Sequence, residues 1–209
     1  MLILIVVAAP IVFLLTRSGA KRTLSTPSPT STSTPRPHFA FATPAVTVEL
    51  LGRNKAPQGT KGVAAQIQTD LSHFYDQAFV DPETWANGVP ASVWAPFAPG
   101  VKAKAQADAD SLTIGDPRVE LASLSVTKAS LSVTFLVDPT GHLVAATADV
   151  SFVATGALAG GEQVTVKNHD NFLYREVGGQ WVIVAYPLAS TKVDAGPVAS
   201  SPSASGASS

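Results

Sequence analysis

The sequence predicts one α+β domain, helices first and an antiparallel sheet after, and three observations carry that prediction. Apolar residues between Gly62 and Val80 recur at three- and four-residue steps, the spacing of one helix face. From Arg118 onward the period switches to two, and tight-turn residues separate the alternating runs. Both ends of the 209-residue chain are poor core material. About 140 residues remain between them, enough for a single hydrophobic core without staples.

The chain opens with LILIVVAAPIVFLL, Leu2 to Leu15, which holds no charge. As a helix this stretch rises roughly 21 Å, short of the roughly 30 Å hydrocarbon core. The length suits the apolar part of a signal peptide as well as a membrane span, and Ser18 and Ala20 form a small-x-small pattern of the kind a signal peptidase accepts. Against cleavage, no basic residue precedes the segment. Arg17, Lys21 and Arg22 follow it, an order that the positive-inside rule disfavours. A start codon further upstream, restoring basic residues, would account for both features. Residues 1–22 are read as a retained transmembrane anchor, ahead of a cleaved signal peptide and of a buried helix.

Residues 23–59 are read as a disordered tether. Its Ser25 to Pro37 stretch, STPSPTSTSTPRP, is Ser, Thr or Pro throughout except for Arg36. Such a segment buries nothing and stays extended and solvated, as do the stalks that hold domains away from a membrane surface. The folded domain is expected over 60–193, with a disordered tail over 194–209. This arrangement implies a single-pass protein whose C-terminal domain lies outside the cytoplasm.

Within the domain, Val63, Ile67, Leu71, Phe74, Tyr75, Ala78 and Phe79 define a first helix of about five turns. Asp81-Pro82-Glu83 reads as a second start, with Asp as N-cap and Pro in the first helical position, and the helix ends near Asn87-Gly88. Ala91 to Asp110, broken by Pro96 and Pro99-Gly100, predicts two short helical pieces. Leu121 to Thr127 and Leu131 to Val137 then alternate as strands, and Asp138-Pro139-Thr140-Gly141 suits a type I turn. A further strand is expected over Leu143 to Thr155, with Val144, Ala146, Ala148, Val150, Phe152 and Ala154 on one face. Gln163 to Glu176 follows, then a Gly178-Gly179 hairpin turn and a last strand over Gln180 to Thr191.

Composition excludes several functions. Formal net charge is −1, from 14 basic and 15 acidic residues, with no basic stripe to release counterions from a phosphate backbone. Nucleic acid is therefore not an expected partner. Cysteine is absent, which removes disulfides, thiol catalysis, zinc–thiolate sites and lipoprotein attachment. The four histidines, His38, His73, His142 and His169, lack metal-ligand spacing, and no nucleophile elbow, Walker loop or dinucleotide fingerprint occurs. No cofactor, metal or catalytic residue is expected. Usage leaning to Ala, Val, Thr, Gly and Pro, with few Ile, Asn or Lys, suggests a GC-rich, actinobacterial genome.

The order "HFYDQAFVDPETW" (His73 to Trp85), "LTIGD" (Leu112 to Asp116) and "FLYREVGGQWVIVAYPL" (Phe172 to Leu188) resembles the nuclear transport factor 2-like superfamily. It looks most like the actinobacterial membrane-anchored members, which are similar to mammalian-cell-entry-associated proteins and to the periplasmic assembly factor of type IV secretion systems. The resemblance covers about residues 60–192. It implies a cone of curved sheet around the first helix, with a capacity to dimerise through the open sheet.

Such cones often enclose a pocket. Strict alternation sends Asn168 and Asp170 inward with Val164, Val166, Phe172 and Tyr174, and His169 and Asn171 outward. A buried Asp there would have a raised pKa and the chemistry of a general base. The competing reading is a bulge that turns these polar residues to solvent, since a one-residue offset reverses every side chain. His73 and Asp76, flanking Tyr75, are spaced to share a helix face and pair, or simply to form a solvated face. Trp85, Trp94, Phe97, Trp181 and Tyr186 carry most of the remaining aromatic area. Trp181 is expected to anchor sheet to helix. Trp94 and Phe97 are expected in the core, with the cone mouth or a partner surface as the alternative.

The candidate pocket or mouth residues are thus Asp170, Asn168, Tyr174, Tyr75, Trp94 and Phe97. The leading functional expectation is a non-enzymatic accessory or scaffold domain that contacts envelope, transport or secretion components. A small-molecule or lipid-binding cone is the second reading, and an enzyme similar to polyketide cyclases or ketosteroid isomerases the third. A filled cone favours the first, an apolar pocket the second, and a pocket holding an inward Asp with a second acid or Tyr the third.

Overall fold

The structure, a computed structural model, describes residues 38–50, 57–115, 120–187 and 191–195. The expected anchor, the Ser25–Pro37 run and the tail beyond Ala195 lie outside the described residues. No helix among the described residues is long and apolar enough to cross a membrane.

The first helix, α1, spans Thr60–Tyr75 and buries Ala64, Ile67, Leu71, Phe74 and Tyr75 on one face. It runs directly into a π-helical turn, Asp76–Val80, closed by the Asp81 N–H donating to the Asp76 carbonyl at 2.9 Å. The wider turn brings three consecutive apolar residues, Ala78, Phe79 and Val80, into the core. Asp81 then caps α2 (Pro82–Asn87) as expected, its side chain accepting the Glu83 N–H at 3.0 Å. The Trp85 indole N–H donates to the Phe79 carbonyl at 2.9 Å, which fixes α2 against the π turn. A 3₁₀ turn (Ala91–Trp94), α3 (Pro99–Ala107) and the single turn α4 (Ala109–Leu112) follow, three pieces where two were expected.

The second half forms a curved, open sheet that is mostly antiparallel. β2 (Leu121–Val137), β3 (Leu143–Leu158), β4 (Gln163–Val177) and β5 (Gln180–Ala185) make a meander. The Gly178-Gly179 turn has φ of 62° and 81°, the positive pair that a two-residue hairpin requires. In the Asp138 turn the carboxylate accepts the N–H groups of Thr140 and His142 at 2.8 and 2.9 Å. The two alternating runs expected at 121–127 and 131–137 are one strand. Its register against β3 skips between Val126 and Lys128, leaving Thr127 as the extra residue of a bulge. The last strand of the meander ends at Ala185, not Thr191. A further short strand, β6 (Lys192–Ala195), pairs with the first half of β4 while β5 pairs with its second half.

The expected tether requires correction at its C-terminal end. Residues Ala45–Leu50 form β1, parallel to β2 at the edge of the sheet, so the sheet is not wholly antiparallel. Ahead of it, Phe39 is fully buried and Phe41 nearly so, both inside the hydrophobic core. The physical reason is simple: two aromatic side chains release more apolar surface from water than the neighbouring Ser and Pro residues can hold in it. The folded part therefore includes residues 38–50, well ahead of residue 60. The expected tail likewise loses Asp194 and Ala195 to β6.

Where β2 crosses β3 the backbones approach closely. A Cβ built on Gly156 would lie 2.1 Å from the Ser123 carbonyl oxygen, whereas one on Gly160 meets nothing within 4 Å. Gly156→Ala is expected to lower stability by about 1–3 kcal/mol in urea denaturation. Gly160→Ala should leave the midpoint close to that of the parent chain, and a similar loss in both would contradict the close approach.

Candidate functional site

β4 decides where the polar candidates lie. Its residues Val164, Val166, Asn168, Asp170, Phe172 and Tyr174 are all buried, while His169 is exposed. Pairing with β3 runs from Gln163 to Tyr174 without a register shift, so the bulge weighed for this stretch does not form. Asn168 and Asp170 point inward at 4% exposure each.

Inside the core, α1 meets them. The Tyr75 hydroxyl donates to Asp170 Oδ2. The Asn168 amide donates to the same oxygen at 2.6 Å, and Asn168 Oδ1 accepts from the Thr191 hydroxyl at 2.7 Å. One chain of hydrogen bonds therefore joins α1, β4 and the residue that leads into β6. Asp170 Oδ1 and the Tyr174 hydroxyl have no hydrogen-bond partner among the described residues. Burial pushes the Asp170 carboxyl above the usual carboxylate range, and the hydrogen bonds from Tyr75 and Asn168 only partly counter it. Tyr75 is held well above the ordinary phenol value, first by burial and then by the Asp170 carboxyl, so it remains a neutral donor. Burial likewise raises Tyr174.

A carboxyl of raised pKa beside a tyrosine is chemically a general acid–base pair. Its surroundings argue for a structural use. The Tyr75 ring lies 5.1 Å from Phe74, 5.3 Å from Phe39 and 5.4 Å from both Phe79 and Phe152, centroid to centroid. These rings, each buried, pack closely around the Tyr75 side of the pair.

Of the six sequence candidates, Asp170, Asn168 and Tyr75 are brought into direct contact, and Tyr174 lies on their face of β4. Trp94 and Phe97 are in the core, each 3% exposed, and pack on Phe74 at 6.2 and 5.9 Å. Neither presents a surface to a partner. The His73–Asp76 pair is absent among the described residues. Asp76 instead contacts the His38 ring at 3.1 Å and accepts the Phe39 N–H at 2.8 Å, which holds the segment before β1 against the π turn. The Trp181 ring packs on Phe135 of β2 at 6.4 Å, and it is the Trp181 backbone carbonyl that meets α1, accepting from the Gln66 side chain at 3.1 Å. Thr191 was missed because its role depends on β6, which no periodicity announced. No group of three or more His, Cys, Asp or Glu suited to a metal occurs among the described residues.

Compared with known proteins, the chain matches no family model, no curated protein and no solved structure.

Two expectations follow from the buried network. Tyr75→Phe removes the donor and should destabilise the fold by about 1–3 kcal/mol at neutral pH. The Asp170 carboxyl binds its proton more tightly folded than unfolded. Stability should therefore fall as pH rises from the unfolded carboxylate value, about 3.9, through the raised folded value, and then level off. Asp170→Asn should erase that decline when urea midpoints of the two proteins are compared across pH 3–8. Parallel pH profiles would show that Asp170 is not titrating in a desolvated site.

Proposed function

We propose that the chain is a membrane-anchored, extracytoplasmic accessory or scaffold domain of the nuclear transport factor 2-like kind, without catalysis of its own. On this reading it contacts envelope, transport or secretion components, and a homodimer formed through the open sheet is one form it takes. The leading helix followed by a curved sheet supports the cone assignment. The filled interior is the observation that carries the non-enzymatic reading. Phe39, Phe74, Phe79, Phe152 and Phe172 are each at most 2% exposed and pack where a ligand-binding cone would be open. A polyketide-cyclase-like or ketosteroid-isomerase-like enzyme needs its carboxyl in contact with substrate, whereas Asp170 is 4% exposed and its Oδ2 is engaged by Tyr75 and Asn168.

The reading is tested in intact cells of the source bacterium. The full chain should sediment with membranes, be digested by protease added from outside, and crosslink to an envelope component. Asp170→Asn should leave the crosslink in place. Recovery of the wild-type chain in the soluble cytosolic fraction, or loss of the crosslink in a folded Asp170→Asn protein, would contradict it.

A further inference from the structure

The outer face of the sheet, opposite the sealed interior, carries a groove of about 380 Å³ lined by Lys128, Ser130, Ser151, Lys167, His169 and Lys192. That volume falls within the range of small-molecule sites. The strand registers explain why these residues meet. Lys128 stands opposite Val153, Val153 opposite Lys167, and Lys167 opposite Lys192, which is one row across β2, β3, β4 and β6. The adjacent row is Ser130, Ser151 and His169. At the usual spacing between strands the lysine row spans about 14 Å, short enough for flexible four-carbon stems to converge.

Lys128 reaches this face only because of the bulge. From Leu124 to Thr127 the inward positions of β2 are even-numbered, Leu124 and Val126; after Thr127 they are odd, as at Ala129, Leu131, Val133, Phe135 and Val137. Inserting Thr127 flips the parity, so Lys128 turns outward instead of following Leu124 into the core. The Thr127 hydroxyl steadies the bulge by donating to the Val153 carbonyl at 3.0 Å.

The charges do not cancel. Lys167 pairs with Asp194 at 3.0 Å and His169 lies 3.6 Å from Asp149. Lys128 and Lys192 have no ion pair among the described residues. Like charges placed directly across a strand pair, as Lys167 and Lys192 are, destabilise a sheet unless a counter-charge joins them. The Ser151 hydroxyl lies 3.0 Å from His169 Nδ1, and Asp149 completes a Ser–His–Asp line. That line is no hydrolytic triad, because the Asp149 contact, 3.6 Å, is too long for a hydrogen bond and the His169 and Asp149 side chains are about half exposed to solvent. Its hydroxyl and imidazole serve better as hydrogen-bonding groups beside the lysines.

We propose that this groove binds a phosphomonoester, carried either by a small soluble phosphate compound or by the headgroup of a monoester lipid of the phosphatidic acid type. Two uncompensated lysines match the charge of about −1.5 to −2 on a phosphomonoester, and its three free oxygens can be shared among lysine, serine and imidazole donors. A carboxylate would leave part of that charge and most of those donors unmet. The proposal rests on the outer face alone and stands whether or not the scaffold reading does.

The test uses the full chain in detergent at constant ionic strength, replacing chloride by inorganic phosphate in one arm. A second arm adds dihexanoyl phosphatidic acid, whose headgroup is a phosphomonoester, below its micelle concentration, with dihexanoyl phosphatidylcholine as its neutral-headgroup diester control. Chemical shifts of the His169 ring and of the lysine side chains report occupancy. A saturable response to phosphate assigns the soluble source, and one to phosphatidic acid but not phosphatidylcholine assigns the lipid source; either supports the site. Lys128→Gln and Lys192→Gln, single and combined, should weaken the response, the double variant by about tenfold or more. Both lysines are exposed, so these proteins should keep the parent's thermal midpoint without ligand. No saturable response in either arm, or an undiminished one in the double variant, would overturn the proposal.

Discussion

The hydrogen bond from Tyr75 to Asp170 is the buried polar contact that ties the leading helix to the sheet. It joins the end of the leading helix to the middle of β4, and both groups are buried. A buried carboxyl is tolerated only with donors in place, so α1 must deliver its tyrosine to that point and no other. The π turn that follows Tyr75 and the aromatic rings around it are arranged about this fixed joint. Asn168 extends the constraint by accepting from Thr191, so the entry into β6 is held by the same network.

With the interior committed to that joint, the sheet separates two kinds of chemistry. Its inner face is aromatic and buried. Its outer face carries serines, lysines and a histidine in strict register. Only the thickness of a strand divides them: Asn168, whose side chain faces the buried carboxyl, also lines the outer groove. The Thr127 bulge makes the division consistent. Without the extra residue, either Lys128 or the Leu131–Val137 series would face the wrong side.

How far the sequence is legible follows from the range of the forces involved. The Asp81 cap, the Gly178-Gly179 turn and the alternation of β4 depend on neighbours within a few residues, and each reads directly from the chain. The Asn168–Asp170 pair shows the limit. Alternation placed it inward correctly, but whether a bulge would release it depended on pairing with β3. β1 escaped notice because it is a fully exposed edge strand in a Pro-rich context, although Val46, Val48 and Leu50 alternate. Phe39 and Phe41 were the overlooked signal in the same segment, as aromatic residues rarely sit idle in a tether. The lysine row could not be read at all. Lys128, Lys167 and Lys192 are far apart in sequence and meet only through three strand registers and one bulge.

Amide hydrogen exchange addresses the sealed interior most directly. If the aromatic core is closed around the Tyr75–Asp170 joint, the amides of Phe74 and Tyr75 and those β4 amides bonded to β3 should open only with global unfolding. Their exchange free energies would then equal the stability measured in denaturant. Exchange of that set at a free energy several kcal/mol below global unfolding would reveal an interior that opens locally to admit a ligand, and would contradict the account.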